Sequence, residues 1–259
     1  RVISLIHKYL RSGVMNKGMF EASEEGTPQG GPLSPLLSNI MLNELDKELT
    51  SRGLPFVRYA DDSMIFCKSK RAAKRVKESI TRFIEGKLHL KVNRDKTVVS
   101  YVQGVKYLGY SFYVMKGKCQ LTVHAKAKAK MKAKLKELTS RSNGWGYAKR
   151  KQKLEEYIKG WVGYYHLANM KRFLIETDEW LRRRLRMCIW KSWKRVKTRV
   201  ANFVKCGIDK CQAYMWGNSR LGYWRIAGSY ILSRAITNEK LSMAGYATLM
   251  GSYIEWHPK

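Results

Sequence analysis

Residues 56–67 read FVRYADDSMIFC, and they are the most informative local signal in this chain. Two short runs of aromatic and β-branched or aliphatic residues, 56–59 and 64–67, flank a tight polar turn. This pattern is typical of a β-hairpin. We therefore expect the adjacent carboxylates of Asp61 and Asp62 at the tip of a hairpin.

Two carboxylates held side by side repel each other. At about 4 Å the repulsion is roughly 1 kcal/mol in water and about 4 kcal/mol at an effective dielectric constant of 20, so such a site usually also holds a cation. Mg²⁺ prefers oxygen ligands and keeps positions for phosphate oxygens, and two such ions support phosphoryl transfer. Paired aspartates are also ordinary turn chemistry, so these two residues alone leave both interpretations open.

A loop rich in glycine and proline precedes the hairpin, with residues 27–39 reading TPQGGPLSPLLSN. Paired glycines let a backbone approach a triphosphate or base pair closely, and Gln29 can both donate and accept hydrogen bonds. Ser34 or Pro35 can begin the following helix. A plain turn before a helix would explain the glycines and prolines but not Gln29.

Periodicity divides the chain into an α/β part and a helical part. Helices are predicted at 36–49 and 72–85 and strands at 97–101 and 105–114; beyond Lys116 the pattern turns helical, with helices at 124–138, 149–166 and 173 to about 200, and short helices after 201. In the helix 124–138, one apolar stripe contains Ala127, Met131, Leu135 and Leu138. We predict domains 1–115, 116–200 and 201–259.

The net charge of +31 favours a polyanionic partner, with nucleic acid first and an anionic membrane surface as the lesser alternative. Residues 116–200 alone carry +19. No apolar run is long enough to span a bilayer. Five scattered cysteines suggest neither a disulfide framework nor a zinc site, so a reducing cytosol fits best.

Together with the block that contains Asn43, Leu45 and Asp46 and with the stretches 90–97 and 105–110, these blocks resemble bacterial group II intron-encoded reverse transcriptases and maturases. The resemblance implies a partial polymerase palm, with a β-hairpin and helices, followed by an all-α basic bundle called the thumb or maturase domain. It implies a two-metal Mg²⁺ site at Asp61 and Asp62, and a cytoplasmic protein associated with nucleoid or RNA. The partners that it implies are intron RNA, an RNA template with a DNA primer, and deoxynucleoside triphosphates.

The same resemblance assigns roles residue by residue. Nucleotide binding is expected of Pro28, Gln29, Gly30, Tyr59, Ala60 and Lys96. The grip on the primer strand is expected of Tyr107, Leu108 and Gly109, although a buried strand explains Tyr110 and Phe112 nearly as well. RNA contacts are expected of Lys126, Lys130, Lys134, Arg182, Arg183, Arg184 and Arg186, although a solvated helix face explains the three lysines equally well. For the tryptophans of the helical part, a place in the core is favoured over base stacking.

Polymerases of this family use a third aspartate upstream of the glutamine-glycine block, whereas the first aspartate of this chain is Asp46. We expect the chain to begin after that residue and to polymerise poorly alone. Two hypotheses follow: a reverse transcriptase that copies intron RNA, or a polymerase-inactive maturase that only binds RNA as a splicing factor. A basic ribosomal or chromatin-like protein would leave the hairpin and the loop unexplained.

Overall fold

The computed structural model describes residues 1–16, 18–21 and 31–257. The chain forms two compact units, Arg1–Tyr101 and Val102–Lys259. The boundary between the units falls N-terminal to the predicted domain limit at residue 115. The predicted limits at 115 and 200 stay predictions.

In its described residues, the first unit combines three helices with two small antiparallel hairpins. Its elements are α1 (Val2–Arg11), β1 (Val14–Asn16), β2 (Met19–Glu21), α2 (Ser34–Ser51), β3 (Phe56–Tyr59), β4 (Asp62–Ile65) and α3 (Lys70–Lys87). β1 pairs with β2 and β3 pairs with β4. Leu45 and Leu49 of α2 and Ile80 of α3 are buried together with Leu88, so the two longer helices form the core that supports the second hairpin.

The second unit begins with a short 3-10 turn at Val102–Gly104 and an antiparallel three-stranded sheet, β5 (Lys106–Tyr107), β6 (Tyr110–Met115) and β7 (Lys118–Val123). Up to residue 257, nine helices follow: α4 (Ala125–Leu138), α5 (Tyr147–Tyr165), α6 (Lys171–Ser192), α7 (Val196–Lys205), α8 (Lys210–Gly217), α9 (Tyr223–Ala227), α10 (Tyr230–Ala235), α11 (Asn238–Met243) and α12 (Leu249–Glu255). None of the described helices is both long and apolar enough to cross a membrane.

One hydrophobic core runs through the second unit from Val123 to Tyr253. The predicted stripe of α4 is confirmed, since Met131, Leu135 and Leu138 are buried and Ala127 packs against them. The preference for tryptophans in the core is confirmed for Trp190 and Trp193, which are 2% and 7% exposed.

Three secondary-structure predictions are wrong. Residues 97–101 form no strand, because the segment follows a turn in which Thr97 donates hydrogen bonds back to the carbonyl of Asn93. Residues 118–123 form β7 rather than helix, since each has a partner on β6. The long helix predicted to reach residue 200 ends at Ser192, because Trp193 turns inward and its N–H closes the last turn on Ile189 and Trp190.

Candidate active site and nucleic-acid interface

The hairpin predicted around the paired aspartates is present. Tyr59 lies opposite Asp62 in the register of β3 and β4, so Ala60 and Asp61 form a two-residue turn. Ala60 has a φ of 50°, in the left-handed region that two-residue hairpin turns favour. Asp61 and Asp62 are exposed, and within the described residues neither carboxylate has a hydrogen bond or an ion pair.

Arg58 anchors this turn to α2. Its guanidinium donates from Nε and Nη2 to the carboxylate of Asp46, at 2.8 and 2.5 Å. Nη1 donates to Asn39 Oδ1 and to the carbonyl of Ala60, both at 2.9 Å. A bidentate pair of this kind is strong and directional. Because Asp46 balances the charge of Arg58, the turn is held without an ion pair to Asp61 or Asp62.

The pairing of Arg58 with Asp46 was not predicted from the sequence. Asp46 precedes Arg58 by 12 residues and belongs to another element, so no spacing rule within one helix or hairpin connects them. The one signal that could have pointed to it is the presence of both residues in the blocks that carry the resemblance.

The two aspartates fit Mg²⁺ by their chemistry. They offer adjacent, solvent-accessible oxygen ligands, and Mg²⁺ is often bound by one or two carboxylates that leave room for waters and substrate phosphates. In the described part of the chain, no cluster of three or more His, Cys, Asp or Glu side chains could hold a metal. The assignment of Asp61 and Asp62 as metal ligands stays a prediction.

Only some of the predicted nucleotide-binding residues belong to the described part of the chain. Pro28, Gln29 and Gly30 lie outside the described residues. The start of the next helix is confirmed, since α2 begins at Ser34 with a proline in its first turn. Tyr59 is 65% exposed on the hairpin. A nucleotide-binding role for these positions stays a prediction.

Lys96 lies in a turn of the first unit that Asn93 organises. The side-chain oxygen of Asn93 accepts from the backbone N–H of Lys96 at 3.1 Å, and its carbonyl accepts from Thr97. Lys77 of α3 donates to the carbonyl of Thr97. The Lys96 side chain is exposed, and its role near a nucleotide stays a prediction.

The predicted primer grip is a tight turn of the second unit. Tyr107 pairs with Tyr110, so Leu108 and Gly109 form the turn, with φ values of 49° and 82°. Two successive positive φ values match a type I′ turn, which suits the twist of a hairpin. Contact with a primer strand stays a prediction for these residues.

Tyrosines at the end of α5 support that turn. The Tyr164 hydroxyl donates to the carbonyl of Leu108 at 3.1 Å, and the Tyr110 hydroxyl donates to the carbonyl of Tyr164 at 2.5 Å. Burial raises the pKa of Tyr110. A Cβ on Gly109 would collide with the Tyr165 hydroxyl, so this position requires glycine for both its backbone angle and its space.

The lysines predicted to contact RNA on α4 are on its surface. Lys126, Lys130 and Lys134 are exposed. Lys134 pairs with Glu137 at 2.7 Å, whereas Lys126 and Lys130 have no acidic partner among the described residues. These two ammonium groups remain available to phosphates, and their contact with RNA stays a prediction.

The four arginines of α6 link the helices of the second unit instead of facing outward together. Arg183 donates to the carbonyl of Trp224, Arg184 to Thr139, and Arg186 to the carbonyl of Ile236. Burial lowers the pKa of Arg184 and of Arg186.

Arg182 is the most enclosed of the four. It is 5% exposed, and its Nη2 donates to Ser242 Oγ at 3.2 Å. The prediction of a direct RNA contact is therefore wrong for Arg182, because a buried guanidinium cannot reach a phosphate. A helical wheel of α6 shows the positive charges but not the later helices that cover them.

Comparisons with known proteins match both parts of the chain. Residues 1–112 match the family described as reverse transcriptase (RNA-dependent DNA polymerase). Residues 128–207 match the family described as group II intron, maturase-specific domain.

Three individual proteins match parts of this chain, and each of them is longer than this chain. Protein YkfC of Escherichia coli is 33% identical over 42% of this chain and 38% of its own length. The group II intron-encoded protein LtrA of Lactococcus lactis is 28% identical over 45% of this chain and 30% of its own length. A putative COX1/OXI3 intron 2 protein of Saccharomyces cerevisiae is 26% identical over 43% of this chain and 20% of its own length. The chain thus spans well under half the length of each of these relatives.

Proposed function

We infer that the chain belongs to the family of group II intron-encoded reverse transcriptases and maturases, because one part matches a reverse transcriptase and another the maturase-specific domain, and on this basis we propose two activities for it. The first unit supplies the metal-binding hairpin of an RNA-directed DNA polymerase. The second unit binds the RNA of a group II intron and so assists its splicing and mobility.

The geometry of the hairpin carries the first activity. A turn of two residues presents adjacent carboxylates to solvent, and the contact from Arg58 to the carbonyl of Ala60 restrains the turn. When bound there, a pair of Mg²⁺ ions supplies activation of the primer 3′-oxygen and stabilisation of the leaving pyrophosphate. The chain's own contribution is to hold Asp61 and Asp62 together and to keep Arg58 from neutralising them, because Asp46 occupies its guanidinium.

The charge of the helical unit carries the second activity. Residues 116–200 bear +19, and Lys126 and Lys130 are exposed with no acidic partner in the described structure. Cationic side chains that track phosphates supply most of the affinity for nucleic acid. The match to the maturase-specific domain supports group II intron RNA as the ligand.

Primer extension and RNA binding, measured side by side, test both activities. With the N-terminal half of the polymerase domain supplied, we expect Mg²⁺-dependent extension of a DNA primer on an RNA template that is lost in the double variant Asp61→Asn/Asp62→Asn, while affinity for intron RNA is retained; the 259-residue chain alone should extend the primer poorly. Extension that survives in the double variant would contradict the metal assignment. RNA binding without extension, even with that half supplied, would favour the alternative, a polymerase-inactive maturase that acts only as an RNA-binding splicing factor.

A further inference from the structure

The second unit contains a cavity of about 500 Å³ whose lining includes none of the residues used so far to argue either proposed activity. It lies between the start of α5, the end of α6 and the α10–α11 segment, and aliphatic side chains of Ile189, Ile236 and Leu241 form much of its wall. Tyr147 and Trp193 add aromatic surface. The volume is in the range of pockets that bind small organic groups.

A few polar groups line this otherwise apolar cavity. Lys240 donates to the carbonyls of Cys206 and Ala235, at 2.6 and 3.0 Å, and Lys151 donates to the carbonyl of Ala244 at 3.4 Å. An ammonium group has three donors, so each lysine keeps at least one for a ligand.

The chain around the cavity is strongly basic. Residues 147–153 and 189–195, which include five of the lining residues, contain seven basic residues and no acidic one. Lys149, Lys191, Lys194 and Arg195 are exposed. A polyanionic backbone is therefore favoured at the surface, whereas the apolar walls disfavour a phosphate inside, because burying a charge without a partner is costly.

We propose that the cavity takes an unstacked nucleobase of the bound RNA. The base would lie against Tyr147 and Trp193 and present its acceptors to Lys151 or Lys240, while its phosphates remain at the basic surface. Proteins commonly read single-stranded loops and bulges in this way. The inference rests on the proposed binding of RNA by this unit and adds a place where one base is recognised.

Photo-crosslinking tests the location directly. The probe is an RNA duplex with a single bulged 5-iodouridine, with the same duplex lacking the bulge as reference. We expect crosslinks at Tyr147 or Trp193 from the bulged base only. Crosslinks confined to other residues would overturn the inference, whether or not the protein binds RNA.

Filling the cavity tests its contribution to affinity. Ala148 is an exposed lining residue in the first turn of α5, so Ala148→Phe would obstruct the cavity without changing charge; Ala201→Phe, at an exposed position of α7, is the matched control. We expect the wild-type chain and the control to bind the bulged duplex on the order of tenfold more tightly than the plain duplex, the size of one stacking contact. In Ala148→Phe this preference should disappear.

The two proposals fail in different ways. A preference for the bulged duplex that persists in Ala148→Phe, or that disappears in both variants, would contradict a base site at the cavity. Tight binding of both duplexes with no preference in the wild-type chain would overturn the base site and leave RNA binding intact. Absence of salt-sensitive binding to either duplex would overturn RNA binding itself. Should Ala148→Phe fail to fold, the crosslinked position in the wild-type chain still decides the inference.

Discussion

Asp61 lies in the two-residue turn of the β3–β4 hairpin, and a substitution of this residue tests the metal assignment directly. Asp61→Asn keeps the shape of the side chain but removes the charge of one ligand, so we expect Mn²⁺ to bind at least about tenfold more weakly in the presence of primer, template and nucleotide. Electron paramagnetic resonance of bound Mn²⁺ measures this. Glu44→Gln is the control, because Glu44 is an exposed carboxylate of α2 paired with Lys47. Similar binding in both variants would contradict the assignment.

Arg58 stabilises the same turn, although its cationic guanidinium is not a metal ligand. Arg58→Ala removes the bidentate contact to Asp46. Because the side chains of Arg58 and Asp46 are only 12% and 27% exposed, we expect a loss of about 2 kcal/mol in the free energy of unfolding. Urea denaturation gives this value.

Lys47→Ala provides the comparison for Arg58. Lys47 pairs with Glu44 along α2 at 2.7 Å, and both side chains are exposed, an arrangement that typically contributes about 0.5 kcal/mol or less at a helix surface. If the two variants lose the same stability, the special role of Arg58 in the hairpin is not supported.

At the scale of elements, the β5–β6 turn depends on glycine. Gly109→Ala would place a methyl group against Tyr165 in a backbone with φ of 82°, and we expect a loss of about 2 kcal/mol or more. Gly117→Ala in the β6–β7 turn has a similar φ of 74° but open space around it, so its loss should be only about 1 kcal/mol. Denaturation of the two variants compares them, and equal losses would show that Tyr165 does not restrict this turn.

If the exposed lysines of α4 bind RNA phosphates, the affinity for RNA should depend on them in a salt-sensitive way. Replacing Lys126 and Lys130 by Gln should lower the slope of log K against log salt concentration by roughly 0.7 to 0.9 for each phosphate that the variant no longer neutralises. Lys153→Gln with Lys159→Gln removes the same charge from α5, where both lysines pair with glutamates at 2.8 Å. Filter binding of intron RNA across a salt series measures the slopes, and an equal decrease in both double variants would argue against a specific α4 interface.

At the scale of the molecule, each unit has its own core. The large hydrophobic cluster contains residues from Val123 to Tyr253, and the cluster around Leu45 and Ile80 lies wholly within the first unit. We therefore expect residues 102–259 to fold alone and to bind RNA. Circular dichroism with urea should give one cooperative transition, and a non-cooperative transition would show that this unit depends on the first.

The features that could be predicted from the sequence are those that depend on neighbours along the chain. The alternation around Asp61 and Asp62 predicted the hairpin, the position of Ser34 and Pro35 predicted the start of a helix, and the stripe from Ala127 to Leu138 predicted the buried face of α4. In each case the local period of apolar residues or the chemistry of a turn is sufficient, because the relevant contacts are a few residues apart.

The polar groups that face each other across different elements are seen only in the folded chain. Arg182 is buried against α11, Arg58 is held by Asp46 of α2, and Trp193 turns inward to end α6. The residue type of a charged side chain does not show whether a later helix buries it. Its burial and its partner depend on contacts between distant segments, whose free energy no local pattern records.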